Sequence, residues 1–504
     1  MIEVTFWILI TLLVGMLVAM GIIGAKRSSS MADHQVPKGL SHVSLALSTA
    51  STQASPATFL GVAGFAFASG LSGLWWILIV PLVFTGGLIL VGKVFRRVGM
   101  RFGSLSLPDW VGSRYQSDLL CVLVAVLYLA NVFYIVSQFS GVGQILNLTG
   151  GLNYSVGLVA VAVLVAIYTL VGGNYAVVKT DAWQAVIMVI ASGVVIVGSL
   201  FIYSNINEIS TNLANESPNL TSVFNPDSPV YSGILALAGI ALFQGMFATQ
   251  PHLANRFLML DSPRQFRSFI LISGVTVLIL SMSAVSGLAA RALMADKVDS
   301  PDQAPIVLVN TLFPTVFAAI FAVGVIAAAI STVNSVLSSM GACVGNDIYR
   351  RLALKKGDVS SERRALVDRR ALLITRATIM VSAIVALALA WEPPEFLAVV
   401  ATIGLYGFFA GVSGPLVLGI YWRGATTIGA LVTVVLGPAF FFWLHFILEA
   451  IPNIFINGGL GIVFSFVVMY LASLMTPKMP AEFVESVVAR GRKTPTETAE
   501  VISR

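Results

Sequence analysis

The sequence predicts an all-α integral membrane protein of about thirteen transmembrane helices, and three observations carry that expectation. The chain is 57% hydrophobic and only 10% charged, whereas a soluble domain carries roughly 25% charged residues. Many windows run about 20 residues without a charge, enough to cross a hydrocarbon core of roughly 30 Å. The basic residues are also concentrated in alternate connecting segments, as the positive-inside rule expects.

Candidate spans lie near 5–24, 43–70, 73–92, 119–147, 155–171, 182–203, 231–250, 268–292, 306–346, 372–390, 396–420, 426–447 and 457–475. The run 306–346 is too long for one crossing and is expected to include a helix outside the bilayer. The first span follows Glu3 and precedes Lys26 and Arg27. That polarity is the reverse of a secretory signal, so a retained span with its N-terminus outside is expected. With that orientation, all but Arg291 and Lys297 of the 29 Lys and Arg fall in cytoplasmic segments or, for Arg376, just inside the tenth span near its cytoplasmic end. The opposite loop 204–230 holds Glu208, Glu216 and Asp227 and no basic residue. The net charge of +6 is thereby explained without a nucleic-acid partner. One transport domain is expected over 1–475, with an extra first span at 5–24, core repeats at about 43–203 and 231–447, and a last span at 457–475. A polar cytoplasmic tail at 476–504 follows, too short for a sizeable output domain.

Chemistry must be built from few groups. Cys121 and Cys343 are far apart in apolar segments, and His34, His42, His252 and His445 are scattered singly, so neither a metal site nor an enzyme is expected. No acidic residue sits mid-span; Asp181 lies at the cytoplasmic mouth of the sixth. Proton-driven carriers commonly use intramembrane carboxylates or histidines. Their scarcity suits a coupling ion held by neutral oxygens, Na⁺ before H⁺.

Two spans carry breaks. The second holds the hydroxyl-rich stretch Ser48–Thr58 with Pro56, which removes a backbone N–H and clashes with the preceding turn. The seventh ends in Phe243–His252, with Gly245 and Pro251 among polar residues. They stand five spans apart and run in opposite directions. Broken helices at corresponding positions of two inverted repeats point to a midplane binding site, although small and hydroxyl residues also serve ordinary helix packing. In the ninth span Ser331 shares a helix face with Asn334 and Ser335, with Thr332 adjacent.

The stretch GVIAAAISTVNSVLSSMGACVGNDIYRR resembles the signature of the sodium:solute symporter family. Gly172–Met188, Phe247–Leu260 and Gly414–Leu431 are similar to further family segments, and Trp391–Glu395 with Gln250–His252 look most like its pantothenate and proline carriers. The resemblance implies a LeuT-type core of inverted five-helix repeats, with Na⁺ as the coupling ion and a small organic solute as cargo. It places sodium on the carbonyls of Ser51, Ala54 and Ala328 and the hydroxyls of Ser331 and Thr332. Asp181, Ser331, Asn334 and Ser335 partly match a second sodium site found in some members. Gln53 stands where proline carriers have Asp. Candidate substrate contacts are Ser55, Thr58, Gln138, Phe243, Gln244 and Phe247; Arg291 would steer or gate. A multi-pass carrier of the cytoplasmic membrane, functional as a monomer with its C-terminus cytoplasmic, is the expectation. A proton-coupled or uncoupled carrier on the same scaffold is the alternative.

Overall fold

A computed structural model describes residues 2–25, 31–202, 206–354, 360–394 and 396–488. Among them every regular element is a helix. Helices satisfy their own backbone polar groups, which hydrocarbon demands. Large apolar side chains such as Leu82, Phe201 and Ile447 face outward, each more than 70% exposed, which is what a lipid-covered surface looks like.

Ten helices are long and apolar enough to cross a membrane, or eleven when the bent pair Ile234–Phe247 and Pro251–Met259 counts as one span. The difference from the thirteen expected lies in two places. The run Ala57–Phe102 is 46 residues, about 69 Å of helix at 1.5 Å per residue, so it cannot be one crossing. It is interrupted at Gly70, whose φ of 69° and ψ of −141° suit only glycine, and a Cβ there would strike the Leu220 carbonyl. The second feature is Tyr154–Leu170, which falls short of the span length. It ends where Gly173 (φ 59°, ψ 177°) breaks the long helical run Tyr154–Ile202.

The two expected interruptions are both present. The second span is split: His42–Gln53 ends as Ala54 turns extended (φ −88°, ψ 117°), and Pro56 leads into a wide π-type turn, Ala57–Gly61, before Val62–Ser69. The seventh bends by 42° between its halves, and Pro251 occupies the first turn of the second half, where its missing N–H is harmless. The run 306–346 divides at Phe313–Pro314 into a short helix, Ala304–Leu312, and a long one, Thr315–Ala342.

That long helix is the axis of the molecule. From Phe321 to Ala342 all its residues are buried. Its Gly324 lies so close to Ala191 that a Cβ would clash, as would one at Gly341 against Thr375. Small residues let membrane helices approach closely and gain dispersion contacts where no hydrophobic drive exists. At the chain's end, Ala481–Val488 forms a helix that packs back on the core: Phe483 stacks on Phe102 at 5.9 Å, and Arg101 Nη1 donates to the Ser486 carbonyl at 2.8 Å. The rest of the expected tail, 489–504, lies outside the described residues, as do Lys26, Arg27 and Glu395.

Candidate functional site

The break in the second span leaves backbone carbonyls without helical partners, and the hydroxyl face of Thr315–Ala342 lies against them. Ser331 Oγ donates to the Ser51 carbonyl at 3.1 Å and to the Ala328 carbonyl at 2.9 Å. Thr332 Oγ1 donates to the Thr52 carbonyl at 3.3 Å. Ala54 sits at the break itself, one residue past the last helical turn. Ser51, Ala54, Ala328, Ser331 and Thr332 are all buried. The arrangement is a knot of neutral oxygens from two elements, with one side irregular, and such a knot can shed a cation's hydration shell without placing a fixed charge in the membrane.

Beside it, a small cavity of about 30 Å³ is lined by both broken spans and by the helix Leu397–Tyr421. Ser55, Thr58, Phe243, Gln244 and Phe247 line it, together with Gln53 and Tyr134. The backbone N–H of Ser55 donates to Thr58 Oγ1 at 3.2 Å, and Gln53 Nε2 donates to Gln244 Oε1 at 3.3 Å. Phe243 and Phe247 meet edge to face, centroids 5.7 Å apart, and Phe247 meets Tyr134 the same way at 6.2 Å. Gln138 stands elsewhere. Its Nε2 donates to the Tyr134 carbonyl and Ser137 Oγ within its own helix, and it is not among the cavity's lining.

Asp181 is fully buried, and of the residues expected with it at a second sodium site Ser335 bonds it directly. Its Oδ2 accepts from Ser48 Oγ at 2.9 Å, Ser335 Oγ at 3.1 Å and Thr52 Oγ1 at 3.3 Å. It also accepts from Arg256 Nη2 at 2.9 Å, an ion pair with side-chain exposures of 0% and 2%. Asn334 takes no part in these bonds; its Oδ1 accepts from Thr169 Oγ1 at 2.9 Å. Arg256 is the residue sequence reasoning missed. It sits inside the segment Phe247–Leu260 and read as one more cytoplasmic charge. Its only signal was an arginine in a half-helix that otherwise continues a membrane span.

The Asn-Asp-Ile-Tyr at the end of the signature stretch, Asn346–Tyr349, builds a separate polar network. Asp347 Oδ1 accepts from Ser106 Oγ at 2.6 Å and from Asn346 Nδ2 at 2.7 Å. Arg351 forks between Asp109 Oδ1 at 2.6 Å and Asp118 Oδ1 at 2.7 Å. Burial pushes the Asp109 carboxyl above its ordinary range; the Leu105 N–H and Arg351 pull the other way. At the opposite end, Arg291 pairs with Glu216 and lies 5.1 Å from the Phe67 ring centroid.

Fold and site together define a multi-pass membrane carrier with two broken helices facing one another across a polar seam. The sodium:solute symporter family model matches residues 37–437, and the chain belongs to that family. A sodium/pantothenate symporter of Escherichia coli (strain K12) is 28% identical over 406 residues, covering 79% of this chain and 81% of its own. The high-affinity proline transporter PutP of Bacillus subtilis (strain 168) is 25% identical over 451 residues, 86% of this chain and 92% of that one. A solved structure of a Na⁺-coupled sialic acid symporter in a substrate-bound outward-open state matches with a TM-score of 0.76 at 18% identity, covering 95% of this chain and 99% of that one. The fold is therefore the LeuT-type fold of sodium symporters, and the protein is a sodium-coupled solute symporter, not an enzyme.

Proposed function

We propose that this symporter imports a small carboxylate-bearing solute, such as pantothenate or an amino acid like proline, by alternating access with one sodium ion per cycle. The observation that carries the reading is the meeting of Ser331 Oγ with the Ser51 and Ala328 carbonyls at 3.1 and 2.9 Å, beside a broken helix. Sodium would lie there, with Ala54 and Thr332 completing five neutral oxygens. The solute would lie in the adjoining cavity against Ser55, Thr58, Phe243, Gln244 and Phe247. A carboxylate suits that cavity because the half-helix beginning at Ala57 opens into it, and half-helix N-termini favour anionic groups. The relatives named above carry pantothenate and proline, which supports the same class.

In this reading the chain crosses the cytoplasmic membrane thirteen times and works as a monomer in the bilayer. The basic bias supports an N-terminus outside and a C-terminus inside. Counterflow in proteoliposomes tests the function directly, with proline, pantothenate, monocarboxylates and sugars each offered in sodium or in potassium at fixed pH. A carboxylate solute is expected to exchange only in sodium. Equal exchange in potassium would end the coupling assignment, and a response confined to sugars would end the carboxylate assignment.

A further inference from the structure

At the basic end of the helix Trp75–Phe102 lies a groove of about 1220 Å³ that the transport reading does not use. Its charged lining is wholly cationic: Lys93, Arg96, Arg97 and Arg423, with no Asp or Glu among the described lining residues. Arg96 is tied to the wall, its Nε and Nη2 donating to the Leu260 carbonyl at 3.0 and 2.8 Å, and Asp261 beside it offsets part of its charge. Lys93, Arg97 and Arg423 are exposed. None of the ion pairs among the described residues includes them.

The same helix supplies an apolar track that leads up to these cations. Leu82, Ile89, Lys93 and Arg97 stand at i, i+7, i+11 and i+15 and so share one face. Leu82 and Ile89 are 74% and 57% exposed. The rise from Leu82 to Lys93 is about 16 Å, about half of a hydrocarbon core of roughly 30 Å, which is the depth of one leaflet. Tyr421 and Trp422 also line the groove, and the Tyr421 hydroxyl donates to the Leu90 carbonyl. Such residues anchor membrane proteins at headgroup level.

We propose that this groove binds one anionic phospholipid, its phosphate held by Lys93, Arg97 and Arg423 and an acyl chain laid along Ile89 and Leu82. Cations gathered in one concavity repel one another, and a phosphodiester relieves that repulsion. A zwitterionic lipid carries its own counter-charge and gains less, while a soluble anion leaves the apolar track uncovered. The chain that follows Val488 at the rim meets Arg490, Arg492 and Lys493 before its first acid, Glu497, so it brings further positive charge first. A lipid seated here touches three separate stretches, at Ile89–Met100, Pro263–Phe266 and Ile420–Arg423, and ties them together. The proposal needs the membrane setting but neither the sodium nor the solute assignment.

The test takes the full-length protein, purified in detergent and stripped of lipid, and follows thermal unfolding and native mass spectra. The additions are phosphatidylglycerol, phosphatidylcholine with the same chains, and inorganic phosphate. Phosphatidylglycerol is expected to raise the unfolding temperature and to persist as a single adduct, and the other two are not. Each basic side chain near an anionic lipid is worth roughly a fivefold change in binding. Lys93→Gln/Arg423→Gln should therefore weaken phosphatidylglycerol roughly twenty-five-fold. Arg363→Gln/Arg370→Gln, which removes the same charge from exposed positions on the helix Ser361–Leu389, should bind as the wild type does. Should the first double variant fail to fold without lipid, Arg97→Gln alone, with roughly a fivefold loss expected, takes its place. Equal stabilisation by phosphatidylcholine overturns the proposal, and so does inorganic phosphate reproducing the whole shift. Wild-type affinity in a folded Lys93→Gln/Arg423→Gln protein overturns it as well. An equal loss in the Arg363→Gln/Arg370→Gln control does the same, because diffuse surface charge would then be the cause.

Discussion

Replacing Ser331 with alanine removes one hydroxyl from the meeting point of the broken second span and the axis helix. That hydroxyl bonds within its own helix to Ala328 at 2.9 Å and across the seam to Ser51 at 3.1 Å. Only the second bond joins two helices, and such a bond in a membrane protein averages about 0.6 kcal/mol. The loss to folding is therefore small. In the proposed site the loss to ion binding is larger, because one of five oxygens would leave a partly dehydrated cation that a methyl group cannot solvate. A tenfold weakening of sodium corresponds to about 1.4 kcal/mol, roughly twice the packing term. Thr332→Ala is expected to have the same sign and a smaller size, since its oxygen stands 3.3 Å from the Thr52 carbonyl. The assay is initial uptake against sodium concentration at saturating solute, with thermal unfolding in detergent run in parallel. About a tenfold rise in half-saturating sodium is expected for Ser331→Ala, with little change in unfolding temperature. Should both variants keep wild-type sodium dependence at normal membrane levels, the Ser/Thr cluster is a packing seam and the ion lies elsewhere.

Thr58→Ala and Gln244→Ala, which alter the cavity lining, are expected to raise the half-saturating solute concentration severalfold at fixed sodium, while Gln138→Ala stays within about twofold; radiolabelled uptake separates them. Gly70→Ala forces a side chain into a left-handed backbone against the Leu220 carbonyl, and should cost about 1–3 kcal/mol or more, read as a lower unfolding temperature. His34, outside the spans, is held neutral by burial and, secondarily, by Arg376, with its pKa lowered from 6.5 to about 4. The unfolded chain therefore binds the extra proton between those values, so stability is full above pH 6.5 and declines as pH falls toward 4. Thermal-shift curves of the wild type and His34→Gln across that window should diverge, the variant being the flatter.

What the sequence disclosed and what it hid divide along one physical line. Pro56 and Pro251 announce their breaks because proline acts on the turn that contains it. The expected five-span spacing of those breaks then points toward a midplane site without any tertiary information. Helix phase was not available in the same way. In the helix Val132–Leu148 every residue from Tyr134 to Leu146 is buried, so no polar face marks which side meets the cavity. Gln138 looked as eligible as Gln244 for that reason, and only packing places it against its own backbone. Asn334 likewise shares a helix face with Ser331, but it bonds Thr169. The ion pair was hidden most deeply. Asp181 and Arg256 are 75 residues apart, and each separately obeys the composition rules of a cytoplasmic helix end. Nothing local says that they meet.

Their meeting changes how sodium and solute should depend on one another. With Asp181 and Arg256 cancelling, the proposed sodium site is made of neutral dipoles, so the bound ion brings a full uncompensated positive charge into the protein. In the proposed reading a solute carboxylate in the adjoining cavity would supply the balance. Such opposite charges would attract in a low-dielectric interior, and linkage would make that coupling reciprocal: each ligand would tighten the other by the same factor. The loaded pair is then close to neutral, while the half-loaded forms each bear an unbalanced charge that the interior resists. An acidic residue at position 53 would provide the balancing charge from the protein side and loosen this mutual dependence. Gln53 lines the cavity instead, so in the proposed reading the balancing charge would come from a carboxylate solute.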